Sequence, residues 1–427
     1  MAVLLLASWS KSRAKRRASG MLSLQYNNAG VPRKGRCGLV SPRHRVFMPF
    51  RTVARLCARA TSTMQITSNT TPFLAERFVS TDKSGQKHCV VVVRATFDVI
   101  DQGRCVPASE QVPFVYCDQH HGDPGTTSVR FETDFAPVKP RVDVLVHALA
   151  VSPKGEPVSR LQVGFAGAGI HKHAVVSGDR VWTLGATGII ASPPSSFTSM
   201  PLSWDRAFGG SDQSHYDETK RGSDLRNPSG VGFHLNDRDD NILNTMLPNV
   251  ERHDDLMGAW TDKPQPIGFA PVGRGWHPRI GFAGTYDRHW FETRRPFLPE
   301  NFDVRYFQAA PLDQQLDRLD AGTRFTCANM SSGGAFVAQT PAFEIPITFR
   351  FESRQVQALI NADTVILEPG CARLTLLGRT SVPLPRKLAQ LREIQVGKRR
   401  YTDLHGKPHF ANLADLVTSS GHGQAKT

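Results

Sequence analysis

The sequence predicts a mainly β protein. Its antiparallel, sandwich- or barrel-like sheets should carry long irregular loops rich in Gly, Pro and aromatic residues, with a few short helices. Three observations lead there. Short runs of β-branched and aromatic residues recur about every 8–12 residues, with polar turns between them. Gly (35) and Pro (29) are frequent enough to supply many turns. No strand-like run is followed by a convincing amphipathic helix, which argues against a doubly wound α/β fold.

The elements follow in order. From Met64 the chain turns β-like, and Gln86–Asp98 (QKHCVVVVRATFD) is the strongest strand signal, after the turn Asp82-Lys83-Ser84-Gly85. Val112–Tyr116, Ser128–Phe131, Val142–Val151 and Val158–Phe165 read as further strands, the last two paired across Lys154-Gly155-Glu156-Pro157. His173–Ser177 and Arg180–Thr183 read as another pair around Ser177-Gly178-Asp179. Residues 187–315 lose periodicity and are dense in Pro, Gly, Trp and Phe. Such irregular chain must satisfy its buried polar groups with side-chain hydrogen bonds. One helix is expected at Thr285–Arg295, with Thr285 as N-cap. Strands return at Arg324–Asn329, Ala335–Ala338, Ile345–Phe351, Val356–Ile360, Thr364–Leu367 and Arg373–Leu377. Leu388, Leu391 and Ile394 suggest a short helix, and Asn412–Val417 another. The resulting organisation is a leader (1–63), a β domain (64–380) and a C-terminal tail (381–427). The domain subdivides into N-terminal strands (64–186), a loop-rich centre (187–315) and C-terminal strands (316–380).

Charge is distributed unevenly. Residues 1–63 hold 13 Lys/Arg and no Asp or Glu, whereas the rest holds 39 Lys/Arg and 38 Asp/Glu. The net charge of +14 therefore belongs to the leader, and the neutral body is not expected to bind nucleic acid. The leader lacks the charge-then-apolar order of a secretory signal. It shares the acid-free, Arg- and Ser-rich composition of a mitochondrial transit peptide and could equally be a basic arm. The reading preferred here is that translation begins naturally at Met64. The longest apolar run near either end, Val3–Ala7, is far too short to cross a bilayer, so no membrane association is expected.

Seven widely spaced cysteines without a CxxC argue against a disulfide framework and for a reducing compartment. Cys117 with His120 and His121, and His171-x-His173 on one strand face, supply fewer than four ligands each, so no metal is expected. The stretch Asn236–Asn241 resembles the start of a calcium loop but has Ile242 and Pro248 where Gly and Glu are needed. No GxSxG, HExxH or phosphate-binding loop is present, and Gly164-x-x-Gly167-x-Gly169 reads as turn glycine, so neither a catalytic residue nor a cofactor is assigned.

The clearest pattern is a series of acid–base neighbours set among aromatics. These are Asp179-Arg180 before Trp182, Trp204-Asp205-Arg206 before Phe208, Asp287-Arg288 before Trp290, and Asp303 with Arg305 before Phe307. Arg and aromatic side chains are favoured in binding hot spots. The same residues can equally pin irregular loops around buried rings. Trp204, Asp205, Arg206, Phe208, Trp276, Arg279, Asp287, Trp290, Asp303 and Arg305 are accordingly the candidate binding residues.

Ordered motifs across this region carry a resemblance. They are MPLSWDRAFGG (Met200–Gly210), NPSGVGF (Asn227–Phe233), LPNVE (Leu247–Glu251), PIGFAPVGRGWHPR (Pro266–Arg279), GTYDRHW (Gly284–Trp290) and RPFLPENFDVRYFQAAPLDQQ (Arg295–Gln315). MQITSNTTPF (Met64–Phe73), VVSGDRVW (Val175–Trp182) and NADTVILEP (Asn361–Pro369) extend it. Together they resemble the type VI secretion accessory family, long labelled a domain of unknown function, over about Met64–Thr380. Gly378 departs from the pattern, where an aromatic residue is more usual. The resemblance implies a cytoplasmic bacterial adaptor or chaperone that helps load a toxic effector onto the VgrG spike with its PAAR tip. It carries over no catalytic residue. The alternative of another class is a β-rich enzyme or carbohydrate-binding protein that uses the Trp/Asp/Arg loops as a sugar platform; neighbouring genes would separate the two.

Overall fold

The computed structural model describes residues 65–186, 188–235, 239–385, 390–398, 401–402 and 408–409. The leader, the helix expected at Asn412–Val417 and Leu388 lie outside them. The expected mainly β architecture is present, in two large sheets and several two-stranded ribbons.

The larger sheet has ten strands. They are β1 (Ile66–Asn69), β2 (Leu74–Thr81), β3 (Lys87–Val99), β4 (Cys105–Pro107), β5 (Val142–Val146), β9 (Gln315–Leu316), β12 (Glu344–Phe351), β13 (Gln355–Glu368), β14 (Arg373–Pro383) and β15 (Leu391–Val396). The second sheet comprises β6 (Arg160–Gly167), β7 (Ile170–Ser177), β8 (Val250–Arg252), β10 (Arg324–Ala328) and β11 (Ala335–Gln339), in the order β8-β7-β6-β10-β11.

The main path of the first sheet runs β1-β15-β12-β13-β14-β3-β2. Its two end strands are consecutive in the chain, joined by residues 70–73, so the sheet curls back towards itself. Phe73, at that junction, packs against Phe97 (5.3 Å between centroids) and Phe343 (6.3 Å). Every residue from Cys89 to Val93 is buried, which explains the unbroken valine run: both faces of β3 are covered. Val92, Leu145, Ala310, Ile366 and Leu377 then form one core cluster across β3, β5, β13 and β14.

Several expectations are corrected. Val112–Tyr116 is not a strand. Its amides bond to side chains instead, Val112 N–H to Thr96 Oγ1 and Val115 N–H to Asp134 Oδ2. Val142–Val151 breaks in two, because β5 joins the large sheet in parallel with β13 while Leu149–Val151 pairs with Ser199–Pro201. No hairpin forms across residues 154–157. β6 instead pairs with β7 around Gly167-Ala168-Gly169, all at positive φ (153°, 51° and 81°). Gly167 is further required because a Cβ there would lie 2.4 Å from the Phe325 ring. Trp182–Gly185 pairs with Gly188–Ala191 and not with β7, whose second neighbour is β8.

Val356–Ile360 and Thr364–Leu367 are one strand, β13, interrupted by a bulge at Asp363. The helix expected at Thr285–Arg295 is shorter, Arg288–Thr293, and its cap is Asp287, whose Oδ1 accepts from Trp290 N–H at 2.8 Å. Thr285 instead accepts from Asn301 Nδ2. Leu391 and Ile394 lie in a strand, not a helix. Arg350 aligns with Glu393 and Phe351 with Leu391, so Arg392 is the extra residue of a bulge. The bulge turns residues three apart to the same side and mimics helical spacing. The sheet thus extends into the region read as a tail. Gly378 fits a tight notch: a Cβ would lie 2.2 Å from Asn361 O and 2.9 Å from the Phe343 ring. Phe343 occupies the space an aromatic at 378 would need.

Candidate functional site

Glu132, Arg274 and Arg279 are brought together from far apart in the chain. Arg279 donates from Nη2 to Glu132 Oε1 (2.5 Å), from Nε to Tyr306 O and from Nη1 to Val272 O (both 2.8 Å). Arg274 Nε donates to the same Glu132 oxygen at 2.8 Å. Burial alone would raise the Glu132 pKa, but Arg279 and Arg274 outweigh it and hold the carboxyl at about 2. The loops at 272–279 and 305–308 are thereby fixed as a rigid wall.

Lys172 forms the floor beside that wall. Alternation along β7 points it inward while His171 and His173 face solvent. Its ammonium donates to Gly268 O (2.7 Å), Gln314 Oε1 (2.8 Å) and Asp313 Oδ1 (2.9 Å). Gln314 in turn donates to Val144 O of β5 and to Phe269 O, so one lysine ties the two sheets together through a loop. Burial lowers the Lys172 pKa to about 8 despite the opposing pull of Asp313.

Above these groups opens a cleft of about 600 Å³. Trp204, Val272, Phe282, Pro311 and Leu312 give it apolar surface. Arg141, Lys172, Arg226, Arg252, Arg279 and Arg305 also line it, against a single lining carboxylate, Asp313. Gly268 lets the backbone pass Trp204, since a Cβ there would lie 2.2 Å from the indole. Trp204 donates from Nε1 to Ala270 O (3.0 Å) and meets Trp276 edge-on at 5.9 Å.

Three of the candidate residues, Trp204, Arg279 and Arg305, therefore line one cleft, with Trp276 packed behind the first. The others are placed elsewhere. Asp205 accepts from Ser128 N–H (2.7 Å) and Oγ (2.6 Å). Arg206 donates to Asn249 Oδ1 at 2.9 Å. Phe208 is buried with Trp182, Ile242, Leu247 and Met257. Asp287 caps its helix, and Trp290 donates from Nε1 to Phe297 O. The sequence neighbours mostly do not pair with each other. Arg180 bonds Glu251 at 2.5 Å, and Arg288 bonds Glu292. Only Asp303 and Arg305 pair as their proximity suggested, with Nη2–Oδ2 at 2.6 Å.

Sequence reading missed Arg141, Lys172, Arg226 and Arg252 as cleft residues. Arg226 and Arg252 carried a visible signal, an aspartate two residues away with which each pairs, as in Asp224-x-Arg226 and Arg252-x-Asp254. Lys172 carried none beyond its place between two polar-facing histidines.

Among the described residues no helix is long and apolar enough to cross a membrane. No curated protein and no solved structure matches the chain. A family model does match, over residues 84–379 and so over more than half of the sequence, and the chain belongs to that family, DUF2169, described as an uncharacterized protein conserved in bacteria.

Proposed function

We propose that this protein is a non-enzymatic bacterial adaptor, acting in the cytoplasm, that binds a type VI secretion effector and helps load it onto the VgrG/PAAR spike. The observation that supports this reading is the cleft. Irregular loops, held rigid by buried ion pairs on two sheets, present arginine and aromatic side chains around a concave surface. Rigid scaffolds that display loops are where partner surfaces usually sit, and Arg with Trp supplies the strongest anchors. Asp313, the lining carboxylate, is engaged by Lys172 and faces no second lining carboxylate, so the geometry suits recognition better than paired proton transfer.

The test is co-expression with a candidate type VI toxin from the same genome and capture through a tag on this chain. Retention of the toxin, and its transfer to purified spike tip, is the expected outcome. A toxin that is never retained at micromolar concentrations, yet joins the spike unaided, would remove the reading.

A further inference from the structure

The cleft rim is built from one repeated device. Three times an arginine is paired side-on with an aspartate two residues away. Arg226 meets Asp224 (Nε–Oδ1 2.9 Å, Nη2–Oδ2 2.5 Å), Arg252 meets Asp254 (Nε–Oδ1 and Nη2–Oδ2 both 3.1 Å), and Arg305 meets Asp303 (Nε–Oδ2 2.9 Å, Nη2–Oδ2 2.6 Å). In each the carboxylate takes the Nε/Nη2 edge; the arginine is a lining residue of the cleft and its aspartate is not. Arg226 spends Nη1 on Gln265 Oε1. Nη1 of Arg252 and Nη1 of Arg305 have no partner among the described residues. The Arg305 guanidinium carbon sits over the Phe282 ring, 4.3 Å from its centroid. Arg141, a further lining residue, is held through Nη2 by Asp317 at 2.8 Å, and its Nε is buried and unpartnered.

We propose that this cleft takes an acidic peptide segment, a short stretch of Asp or Glu with an apolar side chain between the carboxylates. The proposal rests on the adaptor reading and names the partner chemistry of its site. Clamped guanidinium groups are oriented before binding, so little side-chain freedom is lost when a carboxylate arrives. Of the six cationic side chains in the lining, Lys172, Arg226 and Arg279 spend their donors within the protein, so Arg141, Arg252 and Arg305 are the groups that hold donors for an incoming carboxylate. Leu312, an exposed lining residue, offers apolar surface to the intervening residue. A nucleic acid fits less well, because residues 64–427 carry nearly equal numbers of basic and acidic groups, and phosphate binding needs a sustained basic surface.

The experiment uses the full chain and three labelled probes: a peptide of about twelve residues rich in Glu with interspersed Phe, its Gln-for-Glu counterpart, and a single-stranded oligonucleotide of about twelve nucleotides. At low salt the Glu peptide is expected to bind, and the Gln peptide at least about tenfold more weakly, in line with loss of charge-assisted contacts. The double variant Arg252→Gln/Arg305→Gln, checked for unchanged melting, should lower Glu-peptide affinity by a similar factor. Equal binding of both peptides by the wild type overturns the proposal, as does Glu-peptide binding that ignores the double variant, or oligonucleotide binding that exceeds it and falls with the double variant. Toxin capture is scored on the same preparation. Capture without peptide discrimination removes the cleft proposal and leaves the adaptor reading. Peptide discrimination without capture does the reverse.

Discussion

The arginines of this molecule fall into two populations that differ in where their carboxylates come from. In the interior, partners are distant in the chain: Arg94 with Asp134, 40 residues away, Arg180 with Glu251, 71 away, and Arg279 with Glu132, 147 away. All six side chains are nearly inaccessible. For Arg226, Arg252 and Arg305 at the cleft rim the partner is two residues away and the arginine is solvated, with side-chain exposures of 34%, 38% and 58%; Arg141, also solvated, is the exception, with Asp317 as a distant partner. A buried long-range pair fixes how remote segments sit, and loss of either member strands a charge in a poor dielectric. A rim pair holds only its own side chain. The comparison separates arginines that make the fold from arginines that the fold displays.

The sharpest way to break this division is Glu132→Gln. It removes the shared counter-charge of Arg279 and Arg274, and should destabilise the protein by about 3–5 kcal/mol in urea unfolding at neutral pH. The same group sets an acid response. Its folded pKa of about 2 lies below the ordinary 4.5. A depressed carboxyl stabilises the folded state fully above its unfolded pKa, and that stabilisation fades as pH falls from about 4.5 towards 2. The shift corresponds to roughly 3 kcal/mol. The variant should lack this part of the acid-induced loss. Wild-type-like stability at pH 7 would show that the buried pairs do not organise the loops.

A second, smaller effect tests the large sheet, whose β3 carries Arg94 of the first buried pair. Gly378 faces β13 beside the bulge, where Asp363 accepts from Arg379 Nε at 2.7 Å. Gly378→Ala forces a methyl to within 2.2 Å of Asn361 O, so β13 or β14 must shift. A loss of about 1–3 kcal/mol is expected, as for overpacked cores. If the alanine is neutral by thermal unfolding, the bulge is more compliant than its contacts indicate.

How much of this was legible in the sequence follows the same line. The strands of the large sheet could be read because burial on both faces writes a continuous apolar run, as at Cys89–Val93. Their partners could not. Nothing local says that β6 joins β7 and not the strand before it, or that the alternation of β15 is broken by a bulge at Arg392. For the site, the residue types and the 200–315 region were readable, and Asp303 with Arg305 could be paired correctly. Asp205 and Arg180 could not be assigned partners, because Ser128 and Glu251 approach them only through tertiary structure. Lys172 looked like any polar residue in a strand. Its role comes from Gly268, Asp313 and Gln314, 96 to 142 residues away.

The finest discrimination comes from three alanine substitutions that span the two populations. Arg279 is buried and makes bonds to Glu132, Tyr306 and Val272. Arg206 is 37% exposed, bonded to Asn249 and 3.5 Å from Asp179. Arg305 is bonded to Asp303 and sits over the Phe282 ring at the exposed rim. Melting temperature should therefore fall most for Arg279→Ala, slightly for Arg206→Ala, and by no more than about 1 °C for Arg305→Ala. Partner capture should follow a different order, with Arg305→Ala weakened although its fold is intact. Arg206 lies outside the cleft lining, so its substitution should leave capture close to normal. If Arg305→Ala melts as early as Arg279→Ala, the rim pair is structural after all. If it melts normally and captures normally, the displayed arginines are not the recognition surface, and binding has to be sought on another face of the two sheets.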